Sequence, residues 1–324
     1  MTRETEVIER LRRIATAPEA RGLLDDAAVM GDLVITHDTI AEGVHFMPFD
    51  PPASVGWKLV AVNLSDLAAK GAAPAGALLS LTIGSGDWDM HFLTGIEAAC
   101  ESYGLPLLGG DTIGLPEGAP RVLGLTAIGR AAGRVPDRAG GNPGDSLWLV
   151  GTVGDAAGGL ALLRQDRNAE GALVDIFRRP VPLLGAGEAL APRANAMMDV
   201  SDGLLLDARR MAEASGCSIS IELEELPLSS AFVAEHGQDL AARLFAATGG
   251  DDYALLAGLP SNLDPATLSL PSGTRISRIG ALSAGKGLSL TLGGQPIELP
   301  EALGFEHEGH DHRGVSDPPV GDRP

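Results

Sequence analysis

The chain has 324 residues, of which 44% are hydrophobic and 21% charged, and this length is comfortable for two globular domains. Asp and Glu outnumber Lys and Arg by 43 to 24, which gives a formal net charge of −19. A face that binds nucleic acid or an anionic membrane needs an excess of basic residues, so this balance argues against both partners. A phosphorylated small substrate would need metal ions to mediate its binding.

The cysteines and the first residues of the chain bear on its compartment. Cys100 and Cys217 are the two cysteines, and neither belongs to a Cys-x-x-Cys pair, which favours a reducing compartment. Residues 1–16 are charged throughout, and no apolar run approaches the ~18 residues of a membrane span. The sequence therefore predicts a cytoplasmic protein without a signal peptide.

The N-terminal half alternates between helical and extended patterns. Apolar residues at helical spacing predict an amphipathic helix over about 4–15. A second helix over about 54–70 ends at Gly71, and Pro74 follows shortly after as a typical stop signal. Further segments are predicted as strands over about 33–36, 77–83, 105–108 and 121–129, and as a helix over about 88–103.

The second half begins after a segment rich in Pro, Gly and Arg, residues 133–145, which is typical of a domain junction or a functional loop. Strands and helices then alternate again, which predicts an α/β class with one sheet layer in each half. The predicted domains are 1–139 and 140–309, followed by a disordered tail over 310–324. Predicted elements of this half are strands at 146–150, 274–281 and 288–292, a helix at 155–164, and a glycine turn into a strand at 248–257.

Asp residues recur beside Gly, Ser or Thr, most of them at the end of an apolar strand. Carboxylate oxygens suit Mg²⁺, and neighbouring glycines let phosphate oxygens approach the backbone. One such Asp is most often a helix cap or a turn residue, whereas six segments in one chain favour a site at the strand ends. The segments contain Asp25 with Asp26, Asp38, Asp66, Asp111 after Gly109 and Gly110, Asp199 with Asp202, and Asp251 with Asp252.

Asp66 differs from the others because it lies in an apolar helical segment. An unpaired carboxylate on a buried helix is costly, so Asp66 either faces water or binds a cation. Asn63 precedes it by three residues, on the same side of the helix. The chemistry that fits such a set is phosphoryl transfer between anionic partners, which needs positioning and charge neutralisation more than covalent help.

Taken in order, these segments resemble the thiamine-monophosphate kinase family. The likeness extends from about Asp25 to about Gly309 and rests on DDAAV, THDTIAEGVHF, KLVAVNLSDLAAKGA, GGDT, RAGGNPGD, DVSDGLLLD, GGDDYALL and GFEHEG. It implies the two-domain α/β (α+β) fold of the aminoimidazole ribonucleotide synthetase-like superfamily, with an N-terminal domain that dimerises through its sheet. It also implies direct transfer of the γ-phosphoryl group of ATP to thiamine monophosphate.

The resemblance further implies roles for individual residues, carried over by their place in each motif. A fixed guanidinium fork at Arg138 would suit the γ-phosphate, and Phe305 would stack on a heteroaromatic ring. Asp38, Asp66 and Arg138 are the predicted catalytic residues. The predicted ligands of several Mg²⁺ ions are Asp26, Thr36, Asp38, Asp66, Asp111, Asp199 and Asp202. The predicted ATP contacts are Tyr103, Gly110, Asp111, Arg138 and Ser201, and the predicted thiamine monophosphate contacts are His45, Asp251 and Phe305.

Three positions depart from the pattern of the family. His37 stands where a second hydroxyl residue is usual, and imidazole is a poor ligand of Mg²⁺. Asp251 replaces the usual Glu, so its carboxylate is one methylene shorter and would need water or a shifted loop to reach the substrate. Leu24 stands where Gly usually precedes the Asp pair.

Several alternatives stay open on the sequence alone. His45 and Phe305 would also fit a hydrophobic core, and Arg138 would also fit as a loop cap. Another ATP-dependent synthetase of the superfamily, of the selenophosphate synthetase or hydrogenase-maturation type, is a second hypothesis. Those proteins normally carry a reactive cysteine near the N-terminus or at the C-terminus, and here the first cysteine is Cys100. A non-catalytic nucleotide-binding protein is the third hypothesis.

Overall fold

The computed structural model describes residues 3–84, 86–116 and 118–306, and its strands form two sheets. The first sheet comes from the N-terminal half and has the order β1-β2-β5-β3-β4. Its neighbouring strands are antiparallel except for the parallel pair β3 and β4. The strands are β1 (Ala28–Met30), β2 (Leu33–Ala41), β3 (Ala72–Ile83), β4 (Leu107–Gly114) and β5 (Val122–Ala131).

Three helices accompany this sheet: α1 (Arg3–Arg12), α2 (Pro52–Ala69) and α3 (Gly86–Tyr103). α2 packs against β2, β3 and β5, and α3 packs against α2. Because side chains alternate along a strand, Thr36 on β2 is buried towards the helices while His37 is exposed on the other face of the sheet. The first sheet therefore has one covered face and one outer face.

The second sheet comes from the C-terminal half and has the order β12-β11-β8-β10-β6-β9-β7. β8 and β11 form its parallel pair. The strands are β6 (Ser146–Val150), β7 (Ala196–Val200), β8 (Ser218–Glu222), β9 (Ala254–Leu259), β10 (Ile276–Ser283), β11 (Gly287–Leu292) and β12 (Gln295–Ile297). The helices are α4 (Asp155–Gln165), α5 (Ala172–Arg178), α6 (Leu184–Leu190), α7 (Leu204–Ser215), α8 (Ser230–His236) and α9 (Leu240–Thr248).

The helix α2 lies between the two halves of the chain. Of its 18 residues, 15 are buried, as expected for a helix that is apolar on all sides. It packs against the first sheet and also against α6 and β7 of the second half. A Cβ atom at Gly187 on α6 would lie 1.9 Å from the carbonyl oxygen of Ala68, so only glycine permits this approach. Because α2 is enclosed, its polar side chains must find partners inside the protein.

The predicted α/β class and two-domain architecture are confirmed, and α2 and α3 lie within two residues of their predicted bounds. Three strand predictions are too short by more than two residues. The strand predicted at 77–83 begins at Ala72. The strand predicted at 33–36 continues to Ala41, and the strand predicted at 105–108 is β4, which contains Gly110 and Asp111 instead of ending before them. Parallel pairing with β3 holds these residues in the ladder, and a Cβ at Gly110 would meet the carbonyl oxygen of Leu79 at 1.9 Å.

The last strand of the first sheet ends at Ala131, and the first strand of the second sheet begins at Ser146. The junction between the two halves lies between these residues. The domain boundary at 139 stays a prediction. The tail predicted over 310–324 lies outside the described residues. Over residues 3–84, 86–116 and 118–306, no helix is both long and apolar enough to cross a membrane.

Candidate active site

Buried carboxylates from both halves of the chain meet around α2. Asp26, Asp38, Asp66 and Asp199, which we call the carboxylate cluster, lie before β1, on β2, on α2 and on β7. Burial, followed by the charges of Asp202 and Asp26, raises the pKa of Asp38 to about 6. Burial and the neighbouring carboxylates raise the pKa of Asp66 and of Asp199 well above the ordinary value. A cation bound among these carboxylates would therefore stabilise their charged forms.

Hydroxyl groups of β2 and α2 orient two members of the carboxylate cluster. Thr36 Oγ1 donates a hydrogen bond to Asp66 Oδ2. Ser65 Oγ donates to Asp199 Oδ2 at 2.7 Å. These contacts connect β2 to α2 and α2 to β7, so the geometry of the cluster depends on how the two halves of the chain pack together.

The residue that departs from the family pattern on β2 does not enter this cluster. His37 lies on the outer face of the first sheet, with its Nδ1 2.9 Å from Thr126 Oγ1. On the covered face, the backbone N–H of Asp38 donates to Asn63 Oδ1 at 2.9 Å. The substitution to imidazole therefore leaves the side chains of Thr36 and Asp38 on the covered face.

Two cations hold Asp26 at the edge of the cluster. Lys70, which is fully buried, forms ion pairs with Asp25 and with Asp26, the latter at 2.8 Å, and its Nζ donates to the carbonyl oxygen of Met197 at 3.0 Å. Arg138 donates to Asp26 Oδ1. Burial alone would raise the pKa of Asp26, but Lys70 and Arg138 outweigh it and lower the value to about 2. Lys70 was not predicted from the sequence, where its local signal is a cation at the end of an apolar helix.

A second acidic group lies at the start of α7, where Asp202 precedes the helix and Asp207 lies in its first turn. Arg210 forms ion pairs with Asp202 and with Asp207, the latter at 3.0 Å. Burial, followed by the charge of Asp202, raises the pKa of Asp207 to about 7. Asp202 was predicted from the sequence, whereas Asp207 and Arg210 were not. Their signal was the spacing of three residues between Asp207 and Arg210 on one helical face.

The three predicted thiamine monophosphate contacts line one pocket. This cavity of about 310 Å³, which we call the acceptor pocket, is bordered by His45, Asp251, Phe305 and Ser201. Ser201 directly follows β7 and so joins the acceptor pocket to the end of the chain segment that carries Asp199. The apolar part of the wall consists of Leu160, Phe177, Phe245 and several small residues.

Asp251 has two partners that sequence analysis did not identify. Lys58 Nζ donates to Asp251 Oδ2 at 2.7 Å, and the Tyr253 hydroxyl donates to Asp251 Oδ1 at 2.8 Å. Asp251 and Tyr253 both have left-handed backbone conformations, with φ of 65° and 51°. Such conformations are costly for residues other than glycine and are concentrated at functional sites.

Three predicted ATP contacts lie away from the carboxylate cluster in the single chain. Gly110 and Asp111 are exposed on β4, an edge strand, and Asp111 borders a groove on the outer face together with His37. Tyr103, at the end of α3, packs edge-on against Trp57 with ring centroids 5.6 Å apart. Their roles in binding ATP stay predictions.

The donor set can be compared with what a divalent cation requires. Within the described part of the chain, no group of three or more His, Cys, Asp or Glu side chains is arranged to hold a metal ion by itself. Mg²⁺ normally takes one or two carboxylates and completes its coordination with water and substrate phosphates. The oxygen chemistry and the raised pKa values of Asp38, Asp66 and Asp199 fit that mode of binding.

Two family models match the chain. Residues 24–131 match the AIR synthase related protein, N-terminal domain, and residues 142–293 match the C-terminal domain of the same proteins. The matched segments correspond to the two halves that carry the two sheets.

Relatives and solved structures give a narrower family. A thiamine-monophosphate kinase of Caulobacter vibrioides is 38% identical over 94% of this chain and 90% of its own length. That of Salmonella typhimurium is 36% identical over 90% of this chain and 91% of its own length. The structure of AaThiL complexed with AMPPCP and TMP superimposes with a TM-score of 0.81 at 30% identity, covering 94% of this chain and 97% of that one. The resemblance noted in the sequence is confirmed: the chain belongs to the thiamine-monophosphate kinase family of AIR synthase-related proteins.

Proposed function

We propose that this chain transfers the γ-phosphoryl group of ATP to thiamine monophosphate, which yields thiamine diphosphate and ADP. Thiamine-monophosphate kinases match it over most of its length, and the similar AaThiL structure contains AMPPCP and TMP. The observation that carries the proposal is the acceptor pocket, where His45, Asp251 and Phe305 come together next to the segment that carries Asp199.

We propose that Mg²⁺ is required and that the chain binds ATP as its metal complex. The residues that would hold it are Asp26, Thr36, Asp38, Asp66, Asp199 and Asp202, with Asp111 as a further ligand. When bound, the ions would neutralise phosphate charge and align the two phosphates. Support comes from the buried carboxylates of Asp38, Asp66 and Asp199. Their raised pKa values indicate that the negative charge of each is destabilised, and a bound cation would stabilise it.

The side chains of this chain would act by positioning. Phe305 and the apolar wall would hold the heteroaromatic rings, while His45 and Asp251 would orient the acceptor by its polar groups. Arg138 and Ser201 would orient ATP, and Asp38 and Asp66 would fix its metal ions. An oxygen of the acceptor phosphate would then form a bond to the γ-phosphorus as the bond between that phosphorus and the β–γ bridging oxygen breaks, and ADP leaves.

The reaction is tested by measuring ADP release in a coupled assay. We expect ADP to form with Mg²⁺, ATP and thiamine monophosphate, and not when thiamine replaces its monophosphate. Chelation by EDTA should abolish turnover, and added Mg²⁺ should restore it. Absence of turnover with folded, metal-replete protein would contradict the proposed function and favour a non-catalytic nucleotide-binding protein.

We also propose a homodimer that forms through the outer face of the first sheet. This face carries exposed apolar side chains, among them Leu78, Ile113 and Val122, which are 43%, 55% and 46% exposed in the single chain. Ile113 and Val122 line the groove that contains Asp111. Exposed apolar patches on a sheet are typical of protein interfaces.

The domain division at 139 and the cytoplasmic location also stay predictions.

Sedimentation equilibrium tests the homodimer. The chain of 33.3 kDa is expected to sediment with twice its mass, and Leu78→Glu is expected to shift it to a monomer because a carboxylate would be buried in the interface. The control is Val181→Glu, at an apolar residue outside the first sheet that is 62% exposed, and it should leave the mass unchanged. A monomeric wild-type chain at micromolar concentration would refute the dimer.

A further inference from the structure

Lys58 is a buried cation at the acceptor pocket with no assigned role. Only 2% of its side chain is exposed. Its Nζ donates to Asp251 Oδ2 at 2.7 Å and to the carbonyl oxygen of His45 at 2.9 Å, and it lies 3.9 Å from the ring centroid of Phe177. An ammonium group has three N–H donors, and these contacts provide one acceptor for each. Lys58 is therefore satisfied entirely by groups around the pocket.

The partners of Lys58 belong to three different walls of the acceptor pocket. His45 follows β2, Phe177 is on α5, and Asp251 lies on the loop between α9 and β9. One side chain from the N-terminal half thus connects two elements of the C-terminal half. A buried ion pair contributes little net stability compared with apolar residues of the same volume. Stability alone is therefore a weak reason for a lysine at this position.

The Asp251 carboxylate is held at both oxygens. Lys58 donates to Oδ2, and the Tyr253 hydroxyl donates to Oδ1 at 2.8 Å. The backbone N–H of Asp251 donates to the carbonyl oxygen of Ser201 at 2.7 Å, which keeps the left-handed residue against the end of β7. The shorter side chain is anchored between two donors, so the directions of its remaining lone pairs are set before a ligand enters.

We propose that Lys58 is a positioning residue for thiamine monophosphate: it fixes the Asp251 carboxylate, and with it the Phe177 and His45 walls, in the orientation that receives the acceptor. This inference rests on the proposed function. Arg138, one of the predicted ATP contacts, is paired with Asp26. Ser201, another, contacts Asp251 through its own backbone carbonyl and not through Lys58. We therefore expect loss of Lys58 to act mainly on thiamine monophosphate.

The test is Lys58→Met, which keeps an unbranched side chain and removes the charge. We expect the KM for thiamine monophosphate to rise about tenfold, equivalent to about 1.4 kcal/mol, with the KM for ATP and kcat within about twofold of the wild type. Lys286→Met, at the exposed turn between β10 and β11, is the matched control and should change neither KM. Equal changes in both KM values, or an unchanged KM for thiamine monophosphate, would overturn the proposal.

A double-mutant cycle separates positioning from a general packing defect. If Lys58 acts through Asp251, Lys58→Met combined with Asp251→Asn should raise the KM no further than Asp251→Asn alone. The double variant also removes the carboxylate that Lys58→Met would leave without its cationic partner, so it keeps the test valid if the single variant fails to fold. Additive effects on the KM would refute a role through Asp251.

The two levels of the proposal fail in different ways. A wild-type chain that neither releases ADP nor binds thiamine monophosphate in calorimetry contradicts the proposed function. If the wild-type chain is active and Lys58→Met retains the wild-type KM for thiamine monophosphate, the proposed function stands. Lys58 is then not a positioning residue for this substrate.

Discussion

Replacing Asp66 by Asn is expected to lower kcat by about a thousandfold, equivalent to about 4 kcal/mol in the activation barrier, while the protein remains folded. Asp66 is buried on α2 and accepts a hydrogen bond from Thr36, which the carbonyl oxygen of an Asn side chain can still accept. The amide removes one negative charge from a group that includes Asp38 and Asp199. We therefore expect lost affinity for metal-bound phosphate together with unchanged or higher stability.

Two measurements test Asp66→Asn: kcat from ADP release, and Tm from thermal unfolding monitored by circular dichroism. Asp166→Asn, which changes an exposed carboxylate after α4 in the same way, is the control and should behave as wild type in both. Wild-type turnover in the Asp66 variant would remove this residue from the predicted metal ligands. A strongly lowered Tm would show instead that its role is in the fold.

Replacing Lys70 by Met is expected to lower the free energy of unfolding by about 3–5 kcal/mol, because it leaves two buried carboxylates without their main partner. Lys70 is fully buried and pairs with Asp25 and Asp26, and its contact with Met197 connects α2 to β7. For a chain of this size the Tm should fall by roughly 10 °C. Differential scanning calorimetry at pH 7 measures this shift.

The pH dependence of the Lys70 effect follows from Asp26. The cations lower its folded pKa from 3.8 to about 2, so their stabilisation is present above the unfolded value and is lost as the pH falls towards about 2. The difference in Tm between the wild type and Lys70→Met should therefore shrink across that range. Arg130→Met, which breaks an exposed ion pair with Asp32, is the control and should cost about 1 kcal/mol or less. A small, pH-independent effect of Lys70→Met would contradict a stabilising ion pair between Lys70 and Asp26.

Much of the candidate site follows from local patterns in the sequence. The apolar periodicity of α2 and the Asp inside it predicted a carboxylate that either faces water or binds a cation. Asp66 is buried and accepts a hydrogen bond from Thr36, and its binding of a cation stays a prediction. The ordered motifs also selected His45, Asp251 and Phe305, and these three line one cavity. The Asp66 pattern is local because helix period and burial cost act over a few residues. The other three residues were implied by the resemblance to the family and not by periodicity.

Long-range partners were not predictable in the same way. Lys58 and Lys70 are cations in an apolar helical segment, and from the sequence each could equally have reached solvent along its flexible stem. Their partners lie far along the chain, since Asp251 is 193 residues from Lys58. The extent of β4 was underestimated for a related reason: Gly110 and Asp111 are held in a strand by pairing with β3, which outweighs the turn preference of glycine.

The sequence by itself determined the two α/β halves, the family, and a set of Asp residues suited to magnesium and phosphate chemistry. Only the tertiary structure decided which carboxylates share a site with raised pKa values and which form ion pairs with Lys70, Arg138 or Arg210. The physical reason is that a carboxylate's charge state depends on burial and on neighbours within a few ångströms. Packing of α2 between the two halves sets both. The net charge of −19 could not separate these groups, because it counts each acid equally wherever it lies.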